Sequence, residues 1–189
     1  MAGPTERHSG LALNGHPKTY DEAPTAVGMD LLGDDFPYAA TALQGKHALV
    51  CGASKGIGEA TAKMMAKAGA NVTVCARNTE ALAALCAELS ELGPGEHTSL
   101  PLDLEDSDAI IAAIPVLLEQ RGPVHILINN AAGPPGGPLL SNTLDEFEAP
   151  FKRHLYAAHT LTQLLAPGME EVGYGRIIQI ISTSVKEPI

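Results

Sequence analysis

The stretch His47-Ala48-Leu49-Val50-Cys51-Gly52-Ala53-Ser54-Lys55-Gly56-Ile57-Gly58 decides how this chain is read. Its first part is a short apolar run that stops at a glycine, the pattern of a strand buried on both faces in a parallel sheet. A helix follows: Gly56 to Ala68 carries alanine, methionine and lysine at helical spacing and is closed by Gly69. Each loop glycine has a physical task. Gly52 permits the tight turn off the strand, Gly56 lets backbone approach a pyrophosphate, and Gly58 lets the helix pack close to the sheet. The unpaired N–H groups that open the helix suit an anion. Gly52, Ser54, Lys55, Gly56, Ile57 and Gly58 are therefore candidate cofactor-binding residues. The spacing is G-x-x-x-G-x-G, not the G-x-G-x-x-G of other dinucleotide folds, and the competing reading is a tight turn that binds nothing.

Outward from this loop the alternation repeats. Ala70 to Ala76 (ANVTVCA) reads as a second strand, and Asn78 to Leu92 as a helix capped by Asn78 and ended by Gly93. Thr98 to Leu104 reads as a third strand, and Asp106 to Gln120 as a helix with a kink expected at Pro115. Val124 to Asn129 (VHILIN) is a fourth strand, followed by a Gly/Pro loop from Ala132 to Leu140. Thr143 to Val172 is helical, with interruptions expected near Pro150 and Pro167, and Arg176 to Ser182 (RIIQIIS) is a fifth strand. Apolar strands alternating with helices predict an α/β fold, a Rossmann-like doubly wound parallel sheet with helices on both faces.

Residues 1–43 differ, since prolines and glycines alternate there and no period survives. They predict an irregular N-terminal arm, with Met29-Asp30-Leu31-Leu32 as a candidate anchor, ahead of a sheet domain over 44–189. The chain ends at Ile189, soon after the fifth strand. The expectation is that the C-terminal part of the fold is missing and that the fifth strand is an edge open to association.

Composition narrows the function. The 189 residues suit one domain plus a tail, and 45% hydrophobic against 18% charged residues is globular rather than disordered. Twelve basic against 22 acidic residues give a net charge of −10, which repels nucleic acid and anionic membranes. Aromatics at 4% without tryptophan leave no base-stacking platform. The three cysteines, Cys51, Cys75 and Cys86, form neither a disulfide framework nor a zinc motif, and His47, His97, His125 and His159 make no metal set. With no apolar run of membrane-spanning length and no secretory leader in Met1 to Pro17, a cytoplasmic protein is expected.

Four motifs in order carry a resemblance. The glycine loop resembles the T-G-x-x-x-G-x-G of the short-chain dehydrogenases/reductases, with Cys51 at the threonine. Asp103-Leu104 resembles the family's Asp–hydrophobic pair at the end of the third strand. Asn129-Asn130-Ala131-Ala132 resembles its N-N-A-G, with Ala132 at the glycine. Gly175 to Ser182 (GRIIQIIS) resembles the strand that carries its catalytic serine. The resemblance runs from about Gly45 to Ser184. It implies an NAD(P)-dependent oxidoreductase that moves a hydride between a nicotinamide and a carbonyl or alcohol carbon of a small molecule. It implies that Asp103 and Leu104 touch the adenine, that Asn130, Ala131 and Ala132 line the cofactor, and that Ser182 orients substrate. His154 falls at the asparagine that holds a water relay in the family, and a histidine can relay protons. The competing readings are a serine that merely ends a strand and a helix histidine packed near the sheet.

The family's proton donor is a Tyr-x-x-x-Lys pair. Tyr20, Tyr38, Tyr156 and Tyr174 are followed four residues on by Pro24, Ala42, Thr160 and Ile178, so no such pair stands in these 189 residues. The family's spacing places it beyond Ile189. The expectation is a truncated reductase, completed by a partner chain or acting as a homo-oligomer. The alternative is a catalytically inactive nucleotide-binding fragment or interaction protein.

The cofactor's phosphate is read from charge. A carboxylate ending the second strand would bind the adenosine ribose and repel a 2′-phosphate. That strand ends Cys75-Ala76-Arg77 instead. Arg77 offers a fork of donors and Lys55 a second cation, so NADP(H) is expected over NAD(H). The competing reading pairs Arg77 with Glu80 and leaves Lys55 solvated.

Overall fold

The computed structural model describes residues 36, 38–133 and 139–182. Five strands, β1 (His47–Cys51), β2 (Asn71–Ala76), β3 (His97–Pro101), β4 (Ile126–Asn129) and β5 (Arg176–Gln179), pair in parallel in the order β3-β2-β1-β4-β5. The helices are α1 (Gly56–Lys67), α2 (Thr79–Leu92), α3 (Ser107–Arg121), α4 (Leu144–Pro150) and α5 (Ala157–Glu171).

The unbroken apolar run of β1 follows from its place at the centre. Side chains of a strand alternate between faces, and both faces here are covered. Leu49 and Cys51 join a core with Ile110, Ile114, Leu161 and Leu165 of α3 and α5. Ala48 and Val50 join the opposite core with Ala62, Ala66, Leu82 and Leu89 of α1 and α2. The doubly wound sheet expected from the sequence is thus the observed fold.

Strands β3 and β5 are shorter than their sequence runs. The Leu102 N–H still reaches Ala76 O at 3.0 Å, and the Ile180 N–H reaches Asn129 O at 2.9 Å. Beyond these bonds the chain peels off the sheet, so Asp103, Leu104 and Ser182 stand past their strands. Helix starts follow their caps: the Asn78 carboxamide accepts from the Ala81 N–H at 2.8 Å, and Asp106 accepts from Ala109 at 2.9 Å. Thr143 and Glu146 form a capping box at α4.

The long helical segment departs from expectation. After Pro150 the chain makes a π-helical turn, Phe151–Tyr156, and runs on as α5, so the interruption is a widened turn rather than a break. Pro167 lies inside α5 without breaking it. Pro167 and Gln163, whose carbonyl loses its usual partner, are both exposed, so water can serve that carbonyl.

The last residues of the expected arm are tied to the domain. The Leu43 N–H donates to Ala68 O at 2.8 Å, and Leu43 packs against the core on the α1 side. Met29 to Leu32 lie outside the described residues. At the opposite end of the sheet from the glycine loop, buried His47 shares a 2.8 Å hydrogen bond with the Thr73 hydroxyl, which meets Thr98 at 3.0 Å. Burial, reinforced by the Arg121 charge, lowers the His47 pKa to about 4.

Candidate functional site

The strand order reverses between β1 and β4, so the loops leaving them part and open a crevice at the carboxyl ends of the strands. The glycine loop forms one wall. Gly52 adopts φ +60°, and a Cβ there would stand 2.6 Å from Asn130 O. Gly58 has ordinary φ, but its Cβ would meet Gly52 O at 2.3 Å and Asn130 Nδ2 at 2.9 Å. The loop is therefore folded onto the start of α1 and onto the end of β4. The Asn130 side chain fastens the two walls, donating to Cys51 O at 3.2 Å and Gly52 O at 3.3 Å.

A cleft of about 620 Å³ results. Gly52, Ser54, Lys55, Gly56, Ile57, Arg77, Asp103, Leu104, Asn130, Ala131 and Ala132 all line it. Of the residues singled out in the sequence for this role, Gly58 alone does not line the cleft; it is buried and sets the loop's approach. Lys55 is the N-cap of α1 and makes no side-chain capping bond, so the first-turn N–H groups are left for a ligand. Gly56, at φ +62°, has nothing within 4 Å of where a Cβ would stand. Open backbone donors, a glycine facing open space and two cations fit the phosphates of a dinucleotide. Arg77 is exposed and approaches Asp103 at 3.7 Å, so its partner is Asp103 rather than Glu80.

A second cavity of about 730 Å³ adjoins the first, and it holds both Ser182 and His154 with Asn129, Gly133 and Gln179. His154 stands on the π-helical turn, and its Nε2 lies 3.0 Å from Ala132 O. That contact requires Nε2 to carry a proton, which leaves Nδ1 as the accepting nitrogen in the neutral ring. Asn129 Nδ2 is buried without a hydrogen-bond partner among the described residues. No tyrosine lines this cavity among the described residues. Tyr174 packs at the other end of the sheet beneath Lys46 and Arg176.

Arg153 is the residue the sequence undervalued. The run Lys152-Arg153-His154 reads as a solvated basic face, yet the Arg153 side chain is only 18% exposed. Its Nε donates to Glu105 Oε1 at 2.8 Å, Nη2 also meets that oxygen, and Nη1 donates to Ala132 O at 3.0 Å and Gly133 O at 3.2 Å. The signal available was Glu105 two residues past Asp103, but the pairing spans 48 positions and needs the fold to be seen. Cys51 and Cys75 are buried register partners on β1 and β2. Contact with Cys75, followed by burial, pushes the Cys51 thiol up, so it behaves as a core residue rather than a reactive one.

The family model described as short chain dehydrogenase matches residues 46–189. A ketoacyl reductase from Nostoc is 35% identical over 149 residues, 79% of this chain and 52% of its own length. A metagenomic short-chain oxidoreductase solved in complex with NADP superposes with a TM-score of 0.73 at 39% identity, covering 78% of this chain and 67% of that one. A 7α-hydroxysteroid dehydrogenase, solved with NADH and 7-oxo glycochenodeoxycholic acid, superposes with a TM-score of 0.73 at 31% identity, covering 79% and 58%. The chain spans about half the length of the curated relatives it matches. Among the described residues no helix is long and apolar enough to cross a membrane.

Proposed function

The chain belongs to the short chain dehydrogenase family, and on that premise we propose that it binds NADP(H) in preference to NAD(H) for hydride transfer with a carbonyl or alcohol carbon of a small molecule. The observation that carries this reading is the glycine loop, folded over the N-terminus of α1 and fastened to β4 by Asn130. A nicotinamide dinucleotide, when bound, supplies or takes up the hydride. The chain's own residues do the rest. The N–H groups opening α1 hold the pyrophosphate, and Asp103 and Leu104 flank the adenosine end. Ser182 and His154, which line one cavity, face the reacting end. Ser182 offers a hydroxyl to the substrate oxygen, and His154, held through Nε2 on Ala132 O, offers Nδ1 to a relayed proton.

The preference for a 2′-phosphate rests on Arg77. No carboxylate ends β2, and the exposed 3.7 Å approach of Arg77 to Asp103 is worth little in water. A phosphate dianion would outbid that contact and take the guanidinium, with Lys55 on the glycine loop as a second cation. The assay is a fluorescence titration of the full chain with NADPH and with NADH, repeated for Arg77→Ala. The expected result is tighter NADPH binding, with the ratio collapsing toward one in the variant. An unchanged ratio removes Arg77 from the reading, and a steady-state assay with aldehydes and ketones separates turnover from binding.

Association follows the same logic. Among the described residues β5 is the outermost strand on its side of the sheet, with Ile177 and Ile178 exposed, and Ile181 just beyond it is 71% exposed. A second copy pairing along β5 would bury that surface. Light scattering on the full chain reads it, and a monodisperse monomer would exclude it.

A further inference from the structure

We infer that Arg153 is a positioning residue, which holds the loop after β4 in place between the two cavities and so governs how the far half of the dinucleotide is held. This rests on the nucleotide-binding reading above. Arg153 lines both the glycine-loop cleft and the cavity that contains Ser182 and His154. It does not do so as a ligand group, because its fork is already engaged. Nε and Nη2 meet Glu105, and Nη1 is shared between Ala132 O and Gly133 O. A charged side chain this deeply seated is kept only when paired and bonded, and Glu105 supplies the counter-charge at 30% exposure.

The placement gives the pair its consequence. Glu105 belongs to the turn after β3, where its own N–H donates to Asp103 Oδ1 at 3.0 Å and Asp103 in turn approaches Arg77. Arg153 comes from the π-helical turn before α5, and Ala132 and Gly133 from the chain leaving β4. One guanidinium therefore joins three segments that otherwise have no ladder between them. Ala132 O also receives His154 Nε2, so the carbonyl that Arg153 holds is the one that orients His154. Ala131 lines both cavities, Ala132 the first and Gly133 the second, so a dinucleotide that reaches from Arg77 into the second cavity passes Ala131 to Gly133. Releasing this loop should harm that half and spare the adenosine half.

The test compares two probes on the full chain by calorimetry, NADPH and adenosine 2′,5′-bisphosphate, for wild type, Arg153→Met and Arg153→Lys. The expected result for Arg153→Met is about tenfold weaker NADPH binding, with adenosine 2′,5′-bisphosphate within about twofold of wild type. Arg153→Lys keeps the charge but not the fork, so it should recover only part of the NADPH loss. Should Arg153→Met fail to fold, Glu105→Gln removes the counter-charge that seats the guanidinium, loosens its hold on the two carbonyls and reads the same split. Equal weakening of both probes, or no weakening of either, overturns the inference. A wild-type chain that binds neither probe overturns the nucleotide reading itself.

Discussion

Gly58→Ala is the sharpest perturbation of this site, because the added carbon is small and its collision is defined. The new Cβ would stand 2.3 Å from Gly52 O, where ordinary contact begins at 3.4 Å, and 2.9 Å from Asn130 Nδ2. Backbone oxygen cannot rotate away as a side chain can. The glycine loop and α1 must therefore separate by about 1 Å, which also strains the 3.2 and 3.3 Å bonds from Asn130 to Cys51 O and Gly52 O. Overpacking of this kind costs about 1–3 kcal/mol, and each kcal/mol lowers the melting temperature of a domain this size by about 2–4 °C. The same displacement moves the N–H groups proposed to hold the pyrophosphate, so NADPH affinity should fall by about tenfold or more. Gly93→Ala is the control. Its Cβ would clash with Ala66 O, at the opposite end of α1 from the cleft, so it should lower the melt and leave the affinity alone. The two readouts are a thermal melt and a calorimetric titration on each variant. A Gly58→Ala chain that melts and binds like wild type would refute the claim that close approach of loop and helix shapes the site.

Two further outcomes follow from the same structure. Asn130→Ala removes both bonds between β4 and the glycine loop, and should cost about 1–3 kcal/mol in urea unfolding while weakening NADPH binding. Stability should fall as pH falls through the window from about 6.5 to 4. In that range an unfolded His47 takes up a proton that the buried ring, lowered to about 4, refuses. The full loss from this residue is about 3 kcal/mol below pH 4, and burial lowers His97 and His125 in the same direction. Urea midpoints at pH 7.5 and 4.5 measure it, and His47→Gln should flatten the dependence; a midpoint that rises on acidification contradicts the assignment.

The fold was legible because its decisive residues act locally. Ala48 to Val50 are apolar on both alternations, Gly69 and Gly93 close helices, and Asn78 and Asp106 cap them, all within a few positions. The glycine loop was legible for the same reason, since turn and helix start are consecutive. What escaped depended on distance in the sequence. Arg153 reads as surface until the fold brings Glu105 and the Ala132 and Gly133 carbonyls to it. The partner of Arg77 proved to be Asp103, across β2 and β3, rather than Glu80 on the next helical turn. Pro150 and Pro167 carry the same local signal, yet one precedes a π-helical turn and the other passes unmarked. Whether water can reach the orphaned carbonyl is a property of packing, which no single residue states.

The central claim is that the cleft over α1 is a nicotinamide-dinucleotide site. Calorimetric titration of the full 189-residue chain with NADPH tests it most directly. The account predicts saturable binding at one site per chain, weakened by Gly58→Ala and by Arg77→Ala but not by Gly93→Ala. A wild-type chain that melts cooperatively yet gives no saturable heat with either NADPH or NADH would contradict it.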